Sequence, residues 1–325
     1  MAEYTIFKLK NLTPLHVGTG QENYDFSAND LSSDEISSAL AAIKAQHGDA
    51  DSIDAFLRAF SISSAFPFIG DMLFLPRPIG HLNICISGME EHQYRKELKK
   101  IKYVELSIWQ KLIGGQQVTI DHAQLYKEYL MPLSDSPKEC PSVKQVVQRV
   151  GVNRDYRDTM PFFFEWQYFS ASAGLYFIVD ADTEVTEELF RLTTLLGEAG
   201  IGTDKSVGGG KFVAERDTIE IADVPEATST MLLSTFIPTE DDFSHIQLDN
   251  SSYSLIFRNG FIAGSSVEHF RHLRKKSIYM FDVGSVFDTK HVLEGKIVDL
   301  RPNWDDDTLH PVFRSGKPFT VNIHY

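Results

Sequence analysis

Residues 200–212 read GIGTDKSVGGGKF, and five of these thirteen residues are glycine. The apolar periodicity before this stretch predicts a helix over 187–198. Phe212 and Val213 follow the glycines directly, in position to anchor a strand. The stretch is not a nucleotide-binding P-loop, because Phe212 stands where Ser or Thr would follow Lys211. It is not a dinucleotide fingerprint either, because that motif leads from a strand into a helix.

The residue types in this loop suit contact with phosphate groups. Glycines allow a backbone to approach a phosphate closely and to present its N–H groups. Lys205 and Lys211 add positive charge, and Ser206 adds a hydroxyl. The alternative interpretation is a flexible connector, which would rarely place an apolar strand anchor directly after the glycines.

Toward the N-terminus, the patterns alternate between strands and helices. A strand is predicted at 4–10, followed by the loop LHVGTG at 15–20, which contains His16 and Gly18. Helices are predicted from Ile36 after the cap Ser33-Asp34-Glu35, and at 50–60. A hairpin is predicted for 61–69 and 72–75, with Gly70-Asp71 as its turn.

The remaining chain is predicted in the same way. Residues 90–114 are interpreted as one basic helical segment, and 131–160 as a long loop or a protruding hairpin. The further predicted strands are 162–169, 174–179, 231–236, 254–257 and a hairpin of 277–281 with 284–287. This order indicates two α+β domains with antiparallel sheets, and the composition shifts near 215–230. We therefore divide the chain into residues 1–218 and 219–325.

The charge is strongly acidic on average but segregated along the chain. The net charge is −14, from 31 Lys and Arg against 45 Asp and Glu, which alone argues against nucleic-acid binding. Residues 21–60 and 215–249 are rich in acids, whereas 95–102 and 271–276 are rich in bases. Separate acidic and basic surfaces, or simply solvated helix faces, both agree with this pattern.

The composition also narrows the class of protein. Two cysteines, Cys85 and Cys140, exclude a disulfide scaffold and a cysteine-rich zinc site. No apolar run approaches the ~20 residues that cross a bilayer, and no signal peptide is expected at the N-terminus. We expect a cytoplasmic protein without a membrane segment.

Few other residues form a catalytic or metal-binding pattern. His16 has three interpretations: a general base, an RNA-stacking ring or a satisfied polar residue at a domain edge. His269 and His272 lie within the basic run and indicate a basic patch rather than a metal site. Asp305-Asp306-Asp307 is interpreted as a solvated acidic loop. We expect no catalytic residue, no metal and no cofactor.

The glycine pattern resembles the hallmark of the RAMP superfamily, the repeat-associated RNA-binding proteins of CRISPR systems. Gly200, Gly202, Gly208, Gly210 and Phe212 fill that pattern, and Gly209 departs from it because the family often has a larger apolar residue there. Further segments resemble the fourth subunit of the type III-A Csm interference complex, in the same order along nearly the whole chain. These segments are LHVG at 15–18, LSSDEISSAL at 31–40, SAFPFIGD at 64–71, LFLPRP at 73–78, KKIKY at 99–103, AGLYFIV at 173–179 and RKKSIYMF at 274–281.

The resemblance implies two ferredoxin-like, RNA-recognition-type domains with antiparallel sheets, with the glycine-rich loop at the end of the first. It also implies a non-catalytic subunit that binds the 5′ handle of the CRISPR RNA (crRNA) and helps self versus non-self discrimination in antiviral defence. The implied partners are the crRNA, the large signalling and nuclease subunit with its polymerase-like palm, the backbone RAMP subunits and, indirectly, the target RNA. The residues expected to bind RNA are His16, Gly18, Arg154, Arg157, Gly200, Gly202, Lys205, Ser206, Gly208, Gly210, Lys211, Arg274, Lys275 and Lys276.

Other functions remain open on the sequence. One is a RAMP endoribonuclease that processes precursor crRNA with His16 as general base, although no partner group for His16 is identifiable. Another is a stand-alone module that binds RNA or nucleotide phosphates. The sister subunit of the type III-B complex is an alternative assignment within the same superfamily.

Overall fold

The computed structural model describes residues 1–18, 27, 30–48, 52–134, 138–152, 159–262, 265, 267–305 and 308–325. These residues form a mixed α+β structure whose sheets are mostly antiparallel. In this part of the chain, no helix is long and apolar enough to cross a bilayer.

In the N-terminal half, the described residues form five α-helices and thirteen strands. The helices are α1 (Ser33–Gln46), α2 (Ile53–Arg58), α3 (Glu91–Leu98), α4 (Leu106–Ile113) and α5 (Thr183–Ala199). The strands are β1 (Ala2–Lys10), β2 (Ser61–Ile62), β3 (Phe66–Ile69), β4 (Met72–Pro76), β5 (Ile84–Ile86), β6 (Tyr103–Glu105), β7 (Val118–Ile120), β8 (Leu125–Tyr126), β9 (Tyr129–Leu130), β10 (Ser142–Val152), β11 (Thr159–Phe169), β12 (Ala173–Asp180) and β13 (Val213–Ile221).

The C-terminal half contains one short helix, α6 (Glu240–His245), among the residues that the structure describes. Its strands are β14 (Ser229–Leu232), β15 (Gln247–Ser252), β16 (Leu255–Arg258), β17 (Ile278–Phe281), β18 (Val286–Asp288), β19 (Ile297–Asp299), β20 (Phe313–Ser315) and β21 (Thr320–Ile323).

The main sheet has nine strands and follows the order β13-β1-β12-β3-β4-β6-β9-β8, with β2 also paired to β12. The second sheet has four strands in the order β15-β18-β14-β21. Most pairs are antiparallel, as expected, but β5 with β7 and β6 with β9 are parallel. A long antiparallel hairpin, β10–β11, forms a separate two-stranded ribbon.

Both faces of the main sheet are buried at its central strands β12, β3 and β4, which explains the nearly continuous apolar sequence of these strands. Successive side chains of a strand point to opposite faces. Phe7 and Phe177 therefore pack on the side of α1 and α5, in a core with Leu40 and Leu192. Ile6, Tyr176 and Ile178 point the other way, into a core shared with β14 and β21 of the C-terminal half.

Several sequence-based predictions hold with small changes. The turn Gly70-Asp71 joins β3 to β4, and Gly70 has a φ of +56°. The helix predicted over 187–198 begins four residues earlier, because the Asp182 carboxylate accepts a hydrogen bond from Val185 N and caps it. Of the two forms predicted for 131–160, the hairpin is the one observed, with residues 142–152 paired to 159–169. The second helix, predicted at 50–60, is described from Ile53 to Arg58.

The single helical segment predicted for 90–114 is wrong. The strand β6 separates α3 from α4, because Tyr103 and Val104 pair with β4 on one side and with β9 on the other. Val104 is completely buried between those strands. Sheet pairing at this position therefore overrides the helical pattern.

The hairpin predicted for 277–281 with 284–287 is also wrong. The two strands exist, but β17 pairs with β16, whereas β18 pairs with β14 and β15. Between them, the Ser285 hydroxyl donates to the carbonyl of Asp282 and closes a turn that directs the chain into a different sheet.

The strand expected after Phe212 and Val213 is present as β13, and it extends through the acidic residues to Ile221, which the sequence analysis had not assigned to a strand. All nine residues of β13 pair with β1, and the acids carry cross-strand ion pairs. Lys8 Nζ lies 2.5 Å from the Asp217 carboxylate, and Lys10 Nζ lies 2.9 Å from that of Glu215. The division of the chain at residues 218 and 219 stays a prediction, and it falls inside this strand.

Candidate functional site

The glycine-rich loop and the loop after β1 are joined by backbone hydrogen bonds into one frame, defined here as residues 11–18 with 200–212. Thr203 N donates to the carbonyl of His16, at 3.1 Å, and Gly210 N donates to that of Pro14, at 3.0 Å. Thr13 N donates to the carbonyl of Lys211, and Lys211 N donates back to the Thr13 hydroxyl, at 2.8 Å. The structure thus brings together the two loops that the sequence analysis had selected separately.

The glycines of this frame are required mainly by close backbone packing. A Cβ at Gly210 would lie 1.8 Å from the carbonyl oxygen of Ile201, and Gly210 has a φ of +67°. A Cβ at Gly202 would lie 2.5 Å from the carbonyl oxygen of His16. These glycines therefore shape the loop, and their role as direct RNA ligands stays a prediction.

The departure at Gly209 has a structural explanation. The six-membered ring of the Trp166 indole occupies the space beside it, and a Cβ at this position would lie 2.7 Å from Trp166 Cη2. The tryptophan of β11 therefore fills the volume that a larger residue in the loop would take.

The exposed crest of the frame consists of Lys205, Ser206, Val207 and Lys211. The first three form a 3₁₀ turn, and Val207 is 62% exposed. Both lysines point their charge toward solvent from a backbone that is held on two sides. This arrangement suits contact with an anionic, partly apolar ligand such as single-stranded RNA.

His16 is a buried residue of the frame. Its side chain is 3% exposed, and its ring stacks on Phe164 with a centroid separation of 4.3 Å. His16 Nδ1 donates to the carbonyl of Glu165, at 2.8 Å, because a carbonyl oxygen can only accept. Of the three interpretations given above, this geometry favours the satisfied polar residue over the base and the RNA-stacking ring.

The hairpin β10–β11 supports the frame from the side through Arg149. The guanidinium lies 2.6 Å from the Asp204 carboxylate, at the base of the crest. It also stacks over Phe164 and Trp166, at 4.6 and 5.1 Å from the two ring centroids. The sequence analysis missed this residue, because nothing in the local pattern of β10 shows that Asp204, 55 residues away, is its partner.

The other residues expected to bind RNA lie elsewhere. Arg154 and Arg157 lie outside the described residues, in the segment that joins β10 to β11. Arg274 and Lys276 are exposed in the C-terminal half, and Arg274 stacks over Phe261 at 5.0 Å. Lys275 between them is partly buried, which lowers its pKa, although the carboxylate of Glu35 acts in the opposite direction.

The structure also assembles a group of metal-ligating side chains that no sequence pattern selected. Asp241, His245 and His291 bring their ligand atoms within 4.8 Å of one another. The spacing of Asp241 and His245 is a weak helical signal, but His291 comes from a distant segment. His269 and His272, by contrast, are exposed in a 3₁₀ turn of the C-terminal half.

Comparison with known proteins gives consistent matches over most of the chain. A family model described as the CRISPR Csm4 C-terminal domain matches residues 225–323. A Thermococcus onnurineus (strain NA1) protein named "CRISPR system Cms protein Csm4" is 30% identical over 212 residues, which cover 63% of this chain and 68% of the relative. A Mycobacterium tuberculosis protein of the same name is 26% identical over 265 residues, 81% of this chain and 79% of the relative.

Two solved structures share the fold at lower identity. One is a crystal structure of a Csm1–Csm4 cassette with cA4, with a TM-score of 0.63 and 19% identity over 99% of this chain and 98% of that one. The other is a Csm3–Csm4 subcomplex of the type III-A interference complex, with a TM-score of 0.62 and 16% identity over 99% of this chain and 100% of that one. The fold described above is therefore similar to theirs over nearly its whole length.

Proposed function

Because this chain belongs to the Csm4 family, we propose that it is the non-catalytic RNA-binding subunit of a type III-A CRISPR effector complex. In this role it binds the 5′ handle of the crRNA and docks the large signalling and nuclease subunit on one side and a backbone RAMP subunit on another. The matches to chains solved with Csm1 and with Csm3 support both partners. Such a subunit would contribute to self versus non-self discrimination through its position at the handle.

The observation that carries the RNA-binding proposal is the exposed basic crest on a rigid frame. Lys205 and Lys211 project from a loop that is hydrogen-bonded to residues 11–18 and braced by Arg149. A loop backbone that is already ordered lowers the entropy cost of binding a phosphodiester backbone through these lysines. The net charge of −14 does not prevent this, since the acids are segregated along the chain, in residues 21–60 and 215–249, and Lys205 and Lys211 lie outside both stretches.

We further infer that the chain contains two ferredoxin-like units. In the N-terminal half, β1, α1, β3, β12, α5 and β13 follow one another, and the sheet order is β13-β1-β12-β3. In the C-terminal half, β14, α6, β15, β18 and β21 follow one another, and the order is β15-β18-β14-β21. Both sheets thus place the fourth, first, third and second strand side by side, as a duplication of one unit would.

An exposed apolar face in the C-terminal half supports protein docking. Leu255 and Phe257 of β16 and Tyr279 of β17 are 53%, 45% and 63% exposed. Phe257 and Tyr279 are in ring contact, with centroids 5.0 Å apart. Contiguous exposed apolar side chains of this kind mark protein interaction sites.

Binding of a labelled crRNA by the co-expressed complex tests the RNA-binding proposal. The double variant Lys205→Ala/Lys211→Ala is compared with Lys111→Ala/Lys296→Ala, which removes two exposed lysines elsewhere. We expect the first variant to weaken binding of an RNA with the 5′ handle and the second to leave it unchanged. The slope of log K against log salt should fall by about 1.4 in the first variant, since each contact to a single strand contributes about 0.7.

Two outcomes would contradict the proposal. Equal effects of the two double variants would show that the crest is not an RNA contact. Metal-independent cleavage of precursor crRNA, lost on His16→Ala but kept in the lysine variants, would instead establish the endoribonuclease alternative.

A further inference from the structure

The group of Asp241, His245 and His291 is built from two segments that meet at one end of the C-terminal half. Asp241 and His245 lie one turn apart on α6, so that their side chains share a face. His291 lies in the segment 289–296, which follows β18. Their ligand atoms all lie within 4.8 Å of one another.

A buried carboxylate holds the two segments in contact. Asp242 is completely buried and accepts hydrogen bonds from Glu294 N and Gly295 N, at 2.9 and 3.0 Å, as well as from Thr239 N at the start of α6. Burial alone would raise the pKa of Asp242, but these bonds hold it below its ordinary value. The segment that carries His291 is therefore fixed against the helix that carries the other two side chains.

The rings of His245 and His291 lie face to face, so one ring must rotate before both can bind the same ion. Their rings are nearly parallel, with centroids 4.3 Å apart and an interplanar angle of 10°. His245 Nδ1 donates to the carbonyl of Asp241, at 2.8 Å, which leaves Nε2 with the lone pair for a ligand bond. A hydrogen bond of this kind from the second ring nitrogen is the usual way in which proteins orient a metal-binding histidine.

A second observation, independent of the clustering, comes from His291 Nε2, which lacks a bonding partner among the described residues. This atom is buried and has no hydrogen-bond partner in the described structure. It nevertheless lies 3.2 Å from an Asp241 carboxylate oxygen and 3.8 Å from one of Asp242, without the alignment of a hydrogen bond. An unpartnered buried nitrogen facing carboxylates costs free energy, which a bound cation would recover.

We propose that Asp241, His245 and His291 bind a divalent first-row transition-metal ion, best matched by Zn²⁺. Two imidazoles and one carboxylate form a donor set that suits Zn²⁺ and its neighbours, whereas Mg²⁺ and Ca²⁺ require mainly oxygen ligands. The second carboxylate, Asp242, does not supply those oxygens, because backbone N–H groups occupy it.

Metal binding requires the ligand atoms to move closer together and the exposed His245 ring to rotate out of its stack on His291. Ligand bonds of about 2.0–2.2 Å in a tetrahedral site place the ligand atoms about 3.3–3.5 Å apart. Asp241 and His245 are exposed, so rotation of their side chains supplies the change from the present separation. The fourth position faces solvent and takes a water molecule.

The bound ion would connect α6 to the segment 289–296 on the solvent side. It would add to the connection that the buried Asp242 already makes between the same two segments. This inference concerns the C-terminal half alone and stands whether or not the proposed RNA-binding function is correct. At a Zn²⁺ concentration about 100 times the dissociation constant, we expect the melting temperature to rise by about 5 °C.

Titration of the full, untagged chain with Zn²⁺ tests the proposal. We expect one equivalent of Zn²⁺ to bind, and Mg²⁺ at the same concentration not to bind. His291→Ala and Asp241→Asn should each weaken Zn²⁺ binding by more than about 10-fold, since loss of even an outer-shell partner has that effect. Both variants should also abolish the rise in melting temperature.

His122→Ala is the matched control, because His122 is an exposed histidine that pairs with one carboxylate, Glu97, at 2.7 Å. It should bind Zn²⁺ as tightly as the unmodified chain. If His291→Ala fails to fold, the more exposed His245→Asn replaces it. The proposal is wrong if the unmodified chain takes up no stoichiometric Zn²⁺, or if the site variants and the control lose affinity equally.

Discussion

The carboxylate of Asp34, in the first turn of α1, forms a fully buried ion pair with the guanidinium of Arg314, 280 residues later in β20. Arg258 of β16 also binds this carboxylate, at 3.0 Å, and Thr235 donates its hydroxyl to it, at 3.1 Å. Burial lowers the pKa of Arg314 to about 10, so it stays charged at neutral pH. One carboxylate of the N-terminal half thus joins three side chains of the C-terminal half.

Replacing Asp34 should therefore destabilise the whole chain. Asp34→Asn leaves the buried Arg314 without its counter-charge and Arg258 with only the Glu35 carboxylate, at 3.8 Å. Loss of one partner of a buried pair costs about 3–5 kcal/mol. We expect the free energy of unfolding, measured in urea, to fall by that amount. Asp54→Asn is the control, because Asp54 makes an exposed pair with Arg58, at 2.8 Å, and its loss should cost less than about 0.5 kcal/mol. Similar losses in the two variants would contradict the proposed link between the halves.

Gly210 should tolerate no side chain. Gly210→Ala would bring a Cβ against the carbonyl of Ile201 and impose a strained backbone, so we expect a loss of more than about 2 kcal/mol in stability and weaker crRNA binding. Gly208→Ala meets only the strain, since nothing lies within 4 Å of its Cβ, and should cost about 1 kcal/mol. Thermal unfolding of both variants measures the difference, which would vanish if Gly210 did not lie against the backbone of Ile201.

Arg149 should hold the hairpin to the crest. Arg149→Ala removes the ion pair with Asp204 and the stacking on Phe164 and Trp166. We expect faster amide hydrogen exchange in the frame, at residues 203–210, with little change in the melting temperature. Gln148→Ala, the exposed neighbour on the same strand, should leave the exchange rates unchanged. Unchanged slow exchange in Arg149→Ala would show that the backbone hydrogen bonds to residues 11–18 alone keep residues 203–210 ordered.

The ionised carboxylate of Asp299 should make the folded chain more stable at neutral pH than at low pH. Burial would raise its pKa, but the N–H groups of Val312 and Arg301 and the Arg301 guanidinium bond the carboxylate and hold its pKa below the ordinary value. A lowered carboxylate pKa contributes stability above the unfolded value, near pH 4, and this contribution disappears as pH falls through the folded pKa. Asp299→Asn should therefore cost about 1–2 kcal/mol at pH 7 and almost nothing near pH 2.

Urea unfolding of both chains between pH 2 and pH 7 checks this dependence. The matched control is Asp249→Asn, because Asp249 of β15 is exposed. Its free energy of unfolding should change with pH in the same way as that of the unmodified chain. A constant difference between Asp299→Asn and the unmodified chain at every pH would mean that the charge of Asp299 is not the source of the effect.

Local patterns predicted most elements of the fold because their signals lie within a few residues. The cap before Ile36, the turn at Gly70 and the apolar runs of β1 and β12 are of this kind, and the family resemblance is confirmed by the comparisons. The failures share one cause. Residues 103–105 form β6, and β13 extends to Ile221, because of their neighbours in the sheet. The strand β17 pairs with β16, and β18 pairs with β14 and β15, rather than with each other.

For the candidate site too, the sequence predicted the unusual segments but not the contacts between them. The glycine-rich loop and LHVG at 15–18 were recognisable as unusual segments, but their mutual hydrogen bonding was not. The sequence left three interpretations of His16 and favoured the satisfied polar residue, which the contacts with Phe164 and Glu165 support. Arg149 carried no local signal at all.

The amino-acid sequence by itself determined the α+β class, the family and the backbone freedom that the glycines of residues 200–212 provide. These properties depend on residue type and short spacing, which a single chain displays directly. Only the tertiary structure decided which lysines are exposed on the crest, which carboxylate neutralises Arg314, and that Asp241 and His245 meet His291. Those properties depend on side chains that are distant in sequence, and burial and charge pairing act on them only after the sheets have brought them together.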